Sequence, residues 1–452
     1  MKMHPPPRAI AGWVLFDWAS QPFFTLVTTF VFAPYFVAHF LPTPAEGQAL
    51  WGFAVASAGV SVALFSPILG AIADRAGRRK PWIGAASLLL VAGCAALWWA
   101  QPGATHATAL IIVAFCAASI GAEFATVFTN AMLPDLVPVR RMGRISGLGW
   151  AVGYVGGLIS LALMLTLFIA NPQSGLTLIG AAPLFGFDPA QFEGDRFSGP
   201  LSAIWYALFV VPLFLFTPDQ PARAKLGVAV REGLSALRNT LMNAGAHRDV
   251  ARYLVARMIY YDGLSALFAF GGVYAAGTFG WGAQQVGLFG IVLIVAATIG
   301  AWAGGRLDDL WGPRRLILRA LVLLAIASLL ILSIGKEHIL FVLPAAPPVP
   351  GHIFSSLPEQ AYLVVGCLVG LVAGPIQSAS RTLLAHLAPP DQMTQFFGLY
   401  ALSGKATAFM APAAIGALTA ISGSQRIGIS VVVIFLAIGW LLLLRVPDGR
   451  GA

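Results

Sequence analysis

Twelve apolar stretches divide this 452-residue chain, at roughly 10–38, 49–73, 81–100, 107–133, 145–170, 198–216, 254–277, 284–305, 316–334, 360–385, 396–421 and 427–445. Each is close to or above the about 20 residues that a helix needs to cross a bilayer core. Within that core every backbone polar group must find its partner inside the protein, which favours helices for segments of this kind. Composition agrees, with 58% hydrophobic and 10% charged residues and a mean hydropathy of +0.82, against about 25% charged residues in soluble domains. The predicted fold class is an all-α membrane protein with twelve transmembrane helices.

The second and third stretches are joined by Gly70-Ala-Ile-Ala-Asp74-Arg75-Ala-Gly77-Arg78-Arg79-Lys80, and the same G-x-x-x-D-x-x-G-x-R spacing returns 235 residues later at Gly305, Asp309, Gly312 and Arg314. The chain therefore reads as two pseudo-repeated six-helix halves, 1–216 and 254–452, joined by a cytoplasmic linker at 217–253. This is the layout of a transporter built from repeats. In the linker Val230, Leu234, Leu237 and Leu241 share one helical face, which predicts an amphipathic helix lying on the membrane surface. Asp74, Arg75, Arg78, Asp135, Asp309 and Arg314 are the expected gating residues. Asp74 is expected at the positive N-terminal end of the helix that starts near Phe396, with Arg78 reaching Asp135.

Basic residues fix an expected orientation, because Lys and Arg stay on the cytoplasmic side. With the N-terminus inside, 22 of the 27 basic residues, from Lys2 to Arg450, fall in cytoplasmic segments, and only Arg196, Lys336 and Arg426 fall on the other face. The net charge of +9 then reflects topology and contact with anionic lipid, and nucleic acid is not an expected partner. The first stretch is too long for a signal peptide, carries Asp17 and lacks a small-residue cleavage site. Cys94, Cys116 and Cys367 lie in apolar runs without C-x-x-C spacing and read as small core residues. The long loops at 171–197 and 335–358 receive no function.

A shift of 251 residues places Ser119, Glu123, Thr126 and Asn130 over Gly370, Gly374, Gln377 and Arg381, each set lying on one helix face. Asp17, Glu123, Asp262 and Arg381 fall in the first, fourth, seventh and tenth stretches, and Lys405 in the eleventh. A charge in hydrocarbon costs at least about 2.5–3.5 kcal/mol, so these helices are expected to face a shared, hydrated interior. Asp17, with Gln21 one turn on, reads either as a ligand for substrate or cation or as an interfacial carboxylate. Asp262 reads either as a ligand or as a partner of Arg257. Glu123, Thr126 and Asn130 form a polar stripe in which Glu123 is the candidate protonatable group, with Lys405 as its cation. A permanent Glu123–Lys405 tie is the structural alternative. Arg381, with Gln377, can present a planar fork to a carboxylate, or act as a gate. Trp13, Trp18 and Trp150 could stack on a sugar or serve as packing anchors.

The repeated loop, the twelve spans and the polar pattern resemble the major facilitator superfamily. Trp13 to Ala19, Asn130 to Leu136, Gly143 to Gly157 and Phe396 to Tyr400 with Lys405 more specifically resemble its vacuole-effluxer-like branch, whose fungal members export amino acids. Two departures stand out. Tyr154 occupies the region where drug antiporters often carry a glycine-proline pair, and Leu310 stands where Arg75 does in the first loop. The resemblance implies a secondary active transporter for amino acids or related small organic solutes, monomeric, in the bacterial plasma (inner) membrane with both termini cytoplasmic. Its implied partners are a small-molecule substrate and the lipid bilayer. No cofactor is expected beyond a coupling H+ or Na+. A runner-up is a cation-coupled sugar symporter, whose branch shares an acid in each of segments 1 and 4, a Lys in segment 11 and a loop ending Lys80-Pro81-Trp82. A non-transporting membrane sensor is a distant alternative. The chain has no H-E-x-x-H, G-x-S-x-G or P-loop, and no aspartate pair follows Asp262-Gly263 within the next helix, at 284–305, to hold a metal, so enzyme readings find no support.

Overall fold

A computed structural model describes residues 6–171, 174–347 and 353–448; Lys2 and Arg450, counted above, lie outside them. The first six membrane helices are α1 (Pro7–Phe40), α2 (Pro44–Ala76), α3 (Lys80–Trp99), α4 (Thr105–Leu136), α5 (Val139–Phe168) and α6 (Glu193–Phe216). The linker helix α7 (Leu226–Met242) follows. Then come α8 (Arg248–Phe279), α9 (Ala283–Trp311), α10 (Pro313–Ser333) and α11 (Leu357–Leu387). The eleventh span is split into α12 (Met393–Lys405) and α13 (Met410–Ser422), and α14 (Gln425–Leu443) closes the series. Among the described residues 11 segments are long and apolar enough to cross a membrane. The twelfth, α8, is 32 residues long, but Asp262 and its tyrosines dilute its hydropathy.

Local chemistry explains most boundaries. The Thr43 side chain caps α2 by accepting the Glu46 N–H at 3.3 Å, and Pro44 opens its first turn. Ser356 and Glu359 form a capping box at the start of α11. Gly77 and Gly312, the second glycines of the repeated loop, have φ of 90° and 88°, a region where a Cβ is strained. Each ends one membrane helix and turns the chain into the next. Pro22 interrupts the ladder of α1, and Phe23–Phe30 runs on in wider π turns.

Two compact units emerge, and they cut across the expected division at the linker. The first holds the residues up to Val137, Val152–Leu237 and Asp391–Ala401; the second holds Pro138–Ala151, Arg238–Pro390 and the residues from Leu402 onward. The start of α5 thus belongs to the second unit and the start of α12 to the first. Glycines account for both exchanges. A Cβ on Gly398 would lie 2.3 Å from the Ser66 carbonyl oxygen, and one on Gly147 would lie 2.4 Å from that of Ala301.

Within the first unit α4 packs against α2 and α3, and α6 against α1 and α3. Trp13 donates to the Thr129 carbonyl at 2.7 Å, Ser87 and Tyr206 share a hydrogen bond of 2.8 Å, and Trp18 stacks on Trp205 at 5.4 Å. In the second unit α11 packs on α9 and α10, and α14 on α8, α10 and α13. Its α9–α11 contact depends on small residues, since a Cβ on Gly370 or Gly374 would sit 2.5 or 2.4 Å from the carbonyl oxygen of Leu293 or Ala297. Such close backbone approach supplies the dispersion contacts that hold helices together where water provides no drive.

The linker is helical, and of the four apolar residues read as its membrane-facing stripe only Leu237 is buried against the protein. Ala229, Gly233, Leu237 and Thr240 are buried, whereas Leu234 and Leu241 are 46% and 60% exposed. Gly233 sets this rotation: a Cβ there would approach Ile72 Cα to 2.8 Å, so the helix rides directly on the end of α2. Within 171–197, Phe185, Phe187 and Phe197 gather against Phe168 and Trp98.

Candidate gating and substrate sites

The first repeated loop builds a small charged cluster. Asp74, 7% exposed, accepts the Thr394 and Gln395 amides at 3.1 and 2.8 Å, in the first turn of α12. These amides belong to the group that a helix cannot satisfy internally, and the helix dipole adds to their attraction for an anion. A Cβ on Gly70 would lie 2.4 Å from the Thr394 carbonyl oxygen, so glycine permits this approach. Arg79 gathers the remaining partners: Asp135 at 2.5 Å, Thr394 Oγ1 at 3.0 Å and Asp74 at 3.8 Å. The expected Arg78–Asp135 contact is therefore corrected to Arg79, because Arg78, like Arg75, is exposed after the glycine turn. The signal was in the spacing itself, whose arginine position is Arg79 in the first loop and Arg314 in the second. Asp219, unremarked in the sequence, accepts the Arg79 and Lys80 amides at 2.9 and 3.0 Å and so caps α3.

The second loop repeats part of this chemistry. Asp309 accepts the Arg144 amide at 3.1 Å near the start of α5, and its carboxylate lies 3.5 Å from Arg144 Nε. Arg144 and Gln395 are equivalent under the 251-residue shift, so each loop aspartate meets the same turn of an equivalent helix. Arg314 departs from the expected gating role. It lies 3.5 Å from Asp448 and donates to the Leu444 carbonyl at 2.7 Å, tying α10 to the end of α14. The neighbouring Asp308, 1% exposed, hydrogen-bonds Thr382 and was missed.

The polar residues inside the spans divide between the units. In the first, Asp17 and Gln21 lie half-buried on α1, and Glu123, Thr126 and Asn130 lie on α4. The Trp13–Thr129 hydrogen bond holds these two helices together one turn before Asp17 and beside Asn130. The glycines of α5 serve packing: a Cβ on Gly153 would lie 3.2 Å from the Asp17 carbonyl oxygen, and one on Gly157 would lie 2.9 Å from Gln21 Cγ. Thr126 bonds back to the Ala122 carbonyl at 2.8 Å. Trp13 and Trp18 are spent on packing, which removes two of the three rings considered for sugar stacking.

In the second unit Arg381 is 3% exposed, and its Nε and Nη2 donate to Ser146 Oγ at 2.9 Å and the Ser146 carbonyl at 2.7 Å. Those donors of the expected carboxylate fork are thus engaged with the start of α5. Gly370 and Gly374 face α9, so the helix face aligned with the Glu123 stripe is here a packing surface. Gln377 is half-buried and Lys405 exposed. The α8 residue Arg257 donates to Ser403 Oγ at 2.7 Å and lies over the Tyr261 ring at 4.6 Å. Asp262 is 1% exposed, and neither of its carboxyl oxygens has a hydrogen-bond partner among the described residues.

Paired six-helix repeats, charged residues within the spans and aspartates at helix starts together define a transporter of the major facilitator class. Solved structures share this fold. The proton:xylose symporter XylE aligns over 97% of this chain and 94% of its own with a TM-score of 0.69 at 14% identity. The human organic anion transporter MFSD10 aligns over 97% and 100%, also at 0.69, with 15% identity. In sequence, an uncharacterized MFS-type transporter of Bacillus subtilis, YxiO, is 24% identical over 444 residues, 97% of this chain and 94% of the relative. Autophagy-related protein 22-1 of Penicillium rubens is 23% identical over 71% of this chain; the chain spans only 52% of that fungal protein. The pattern of the vacuole effluxer Atg22-like family matches residues 48–452, and the chain belongs to that family.

Proposed function

We propose that the protein is a secondary active transporter that moves amino acids or related small organic solutes by alternating access. The observation that carries this reading is the repeated aspartate contact, Asp74 on the first turn of α12 and Asp309 on the corresponding turn of α5. Both contacts are non-covalent, both sit at ends of membrane helices, and either can release without unwinding the helix it caps. The amino-acid class is supported by charges of both signs within the spans, suited to a zwitterion, and by the vacuole-effluxer character of the family. The basic-residue bias supports cytoplasmic termini, and the relative from Bacillus subtilis supports a bacterial plasma membrane. We take the working unit to be a monomer.

Counterflow in proteoliposomes against amino acids, sugars and organic acids tests the reading. Trans-stimulated uptake of at least one amino acid is expected. Uptake confined to sugars would move the protein to the symporter alternative, and no flux of any solute would remove the transport assignment.

Glu123 is the coupling residue in this reading, with a proton or sodium ion as driver. Glu123→Gln mimics the protonated acid. Exchange down the substrate's own gradient should survive in that variant, while accumulation against a gradient is lost. Continued accumulation with an unchanged pH profile would leave Glu123 with a structural role only.

A further inference from the structure

The segment 171–197 meets the Phe40 end of α1. Its start folds back over the end of α5, with a backbone bridge between Ala170 and Thr177 and the Leu178 amide donating to the Leu165 carbonyl at 3.1 Å. Its last residues lead into α6 through Phe192, whose φ of 49° lies in a left-handed region that a bulky residue adopts only when its surroundings impose it. That backbone sets the Phe192 ring against His39, with centroids 4.1 Å apart, and 5.5 Å from the Tyr35 ring. Tyr35 is tied in turn by its hydroxyl, which donates to the Ala100 carbonyl. All three residues line a cavity of about 650 Å³ whose walls belong to the first unit alone. Sites for small molecules commonly occupy about 300–1,000 Å³.

Two polar groups in the same lining are left unanswered. Thr177 is 5% exposed, and its hydroxyl is buried without a hydrogen-bond partner among the described residues. The half-buried Asp195 carboxylate receives its own amide and no other side chain or charge. An acid in the first turn of a helix is ordinary by itself; here the balance of charge around it is not. The adjacent Arg196, 2% exposed, spends Nε and Nη2 on the Trp98 carbonyl at 2.9 and 2.8 Å and Nη1 on that of Gln191 at 3.3 Å. The carboxylate that acts on Arg196 is Glu193, and no ion pair among the described residues includes Asp195. One negative charge is therefore left over at the cavity.

We propose that this cavity binds a small organic ammonium ion, its nitrogen paired with the Asp195 carboxylate and its carbon groups against the Tyr35 and Phe192 rings, with the Thr177 hydroxyl as a second polar contact. A partly buried carboxylate is costly until a cation joins it, and aromatic faces attract the same cation. A single positive charge closes the balance. A metal ion fits less well, because hard cations require several oxygen ligands, and among the described residues no group of three His, Cys, Asp or Glu side chains could hold one. The cavity lies at the opposite end of α1 from Asp17 and apart from the polar residues inside the spans, so the inference goes beyond the transport reading and does not rest on it.

The test is isothermal titration of the purified full-length protein in detergent with choline, ethanolamine and 3,3-dimethylbutan-1-ol, the last a neutral copy of the shape of choline. Saturable binding of at least one ammonium ion is expected, with the alcohol weaker than choline by about tenfold or more. Asp195→Asn should weaken ammonium binding by about tenfold or more, and Thr177→Val by a few-fold. Phe192→Gly accepts the left-handed backbone without strain and removes the ring, so it should weaken binding several-fold in a protein that still folds. If Asp195→Asn fails to give a monodisperse protein, Phe192→Gly and the comparison of choline with the alcohol decide the matter. No binding of either ammonium ion, equal binding of choline and the alcohol, or a neutral methyl glucoside bound in their place would each overturn the site. So would ammonium binding that Asp195→Asn retains and Glu123→Gln abolishes, which would put the ligand among the spans. Counterflow without ammonium binding removes this inference alone; ammonium binding without flux of any solute removes the transport reading alone.

Discussion

Asp74→Asn is expected to slow transport by about tenfold or more while substrate affinity stays within a few-fold. The substitution keeps the shape of the side chain and removes its charge. An asparagine offers one carbonyl oxygen where the carboxylate accepts two amides, at 3.1 and 2.8 Å, and turns its own NH2 toward the second. Arg79, 6% exposed, retains Asp135 but loses the carboxylate 3.8 Å away. Hydrogen bonds to a charged group contribute about 1.5–3 kcal/mol each, and about 1.4 kcal/mol is a tenfold change in an equilibrium, so even partial loss redistributes the states of the cycle. No group expected to touch substrate changes, so binding is spared. The measurement is initial-rate uptake beside equilibrium binding in detergent. A variant that transports at the wild-type rate, or one that folds but no longer binds, would count against a latch at Asp74.

Gly374→Leu should prevent folding outright, while Gly416→Leu is tolerated. At Gly374 the new Cβ would lie 2.4 Å from the Ala297 carbonyl oxygen and 2.6 Å from the Ala301 nitrogen. Ordinary overpacking costs about 1–3 kcal/mol because side chains move aside; both obstacles here are main chain of α9, and relief requires separating two helices. Gly416 meets nothing within 4 Å and serves as the matched control. Size-exclusion profile and thermal midpoint read the outcome. A monodisperse Gly374→Leu protein within a few degrees of wild type would show that α9 and α11 can separate at this contact without loss of the fold.

The sequence revealed what depends on composition and local pattern. The spans follow from hydropathy, the repeated loop from its spacing, and the position of Asp74 at the start of α12 from the preference of helix N-termini for anions. Other features were hidden for identifiable reasons. Arg78 and Arg79 are adjacent and chemically identical, so charge counting does not separate them, and only the repeat spacing marks Arg79. The seat of α7 on α2 was not legible because Gly233, which permits the close approach to Ile72, contributes nothing to a hydrophobic count. Arg381 looked available because its partner, Ser146, lies 235 residues away and carries no charge that would mark it. The break after Lys405 is flanked by Gly404 and Pro412, and Pro412, which cannot bond the carbonyl of Ala408 and crowds it, is a signal that the hydropathy reading passed over.

The exchanged segments bear on how the chain is made. When a ribosome has delivered the linker, α1 to α6 exist, yet Asp74 and Arg79 still await Thr394 and Gln395. The first unit therefore stays incomplete through the synthesis of four further membrane helices, α8 to α11, and is finished by residues that emerge near the end. Conversely, the turn at Gly143 and Gly147 is made early and waits for α9. Contacts of such long sequence separation form late, so each unit is completed only when both of its distant chain segments have been made. The Asp74 carboxylate therefore lacks both of its amide partners until α12 has been made.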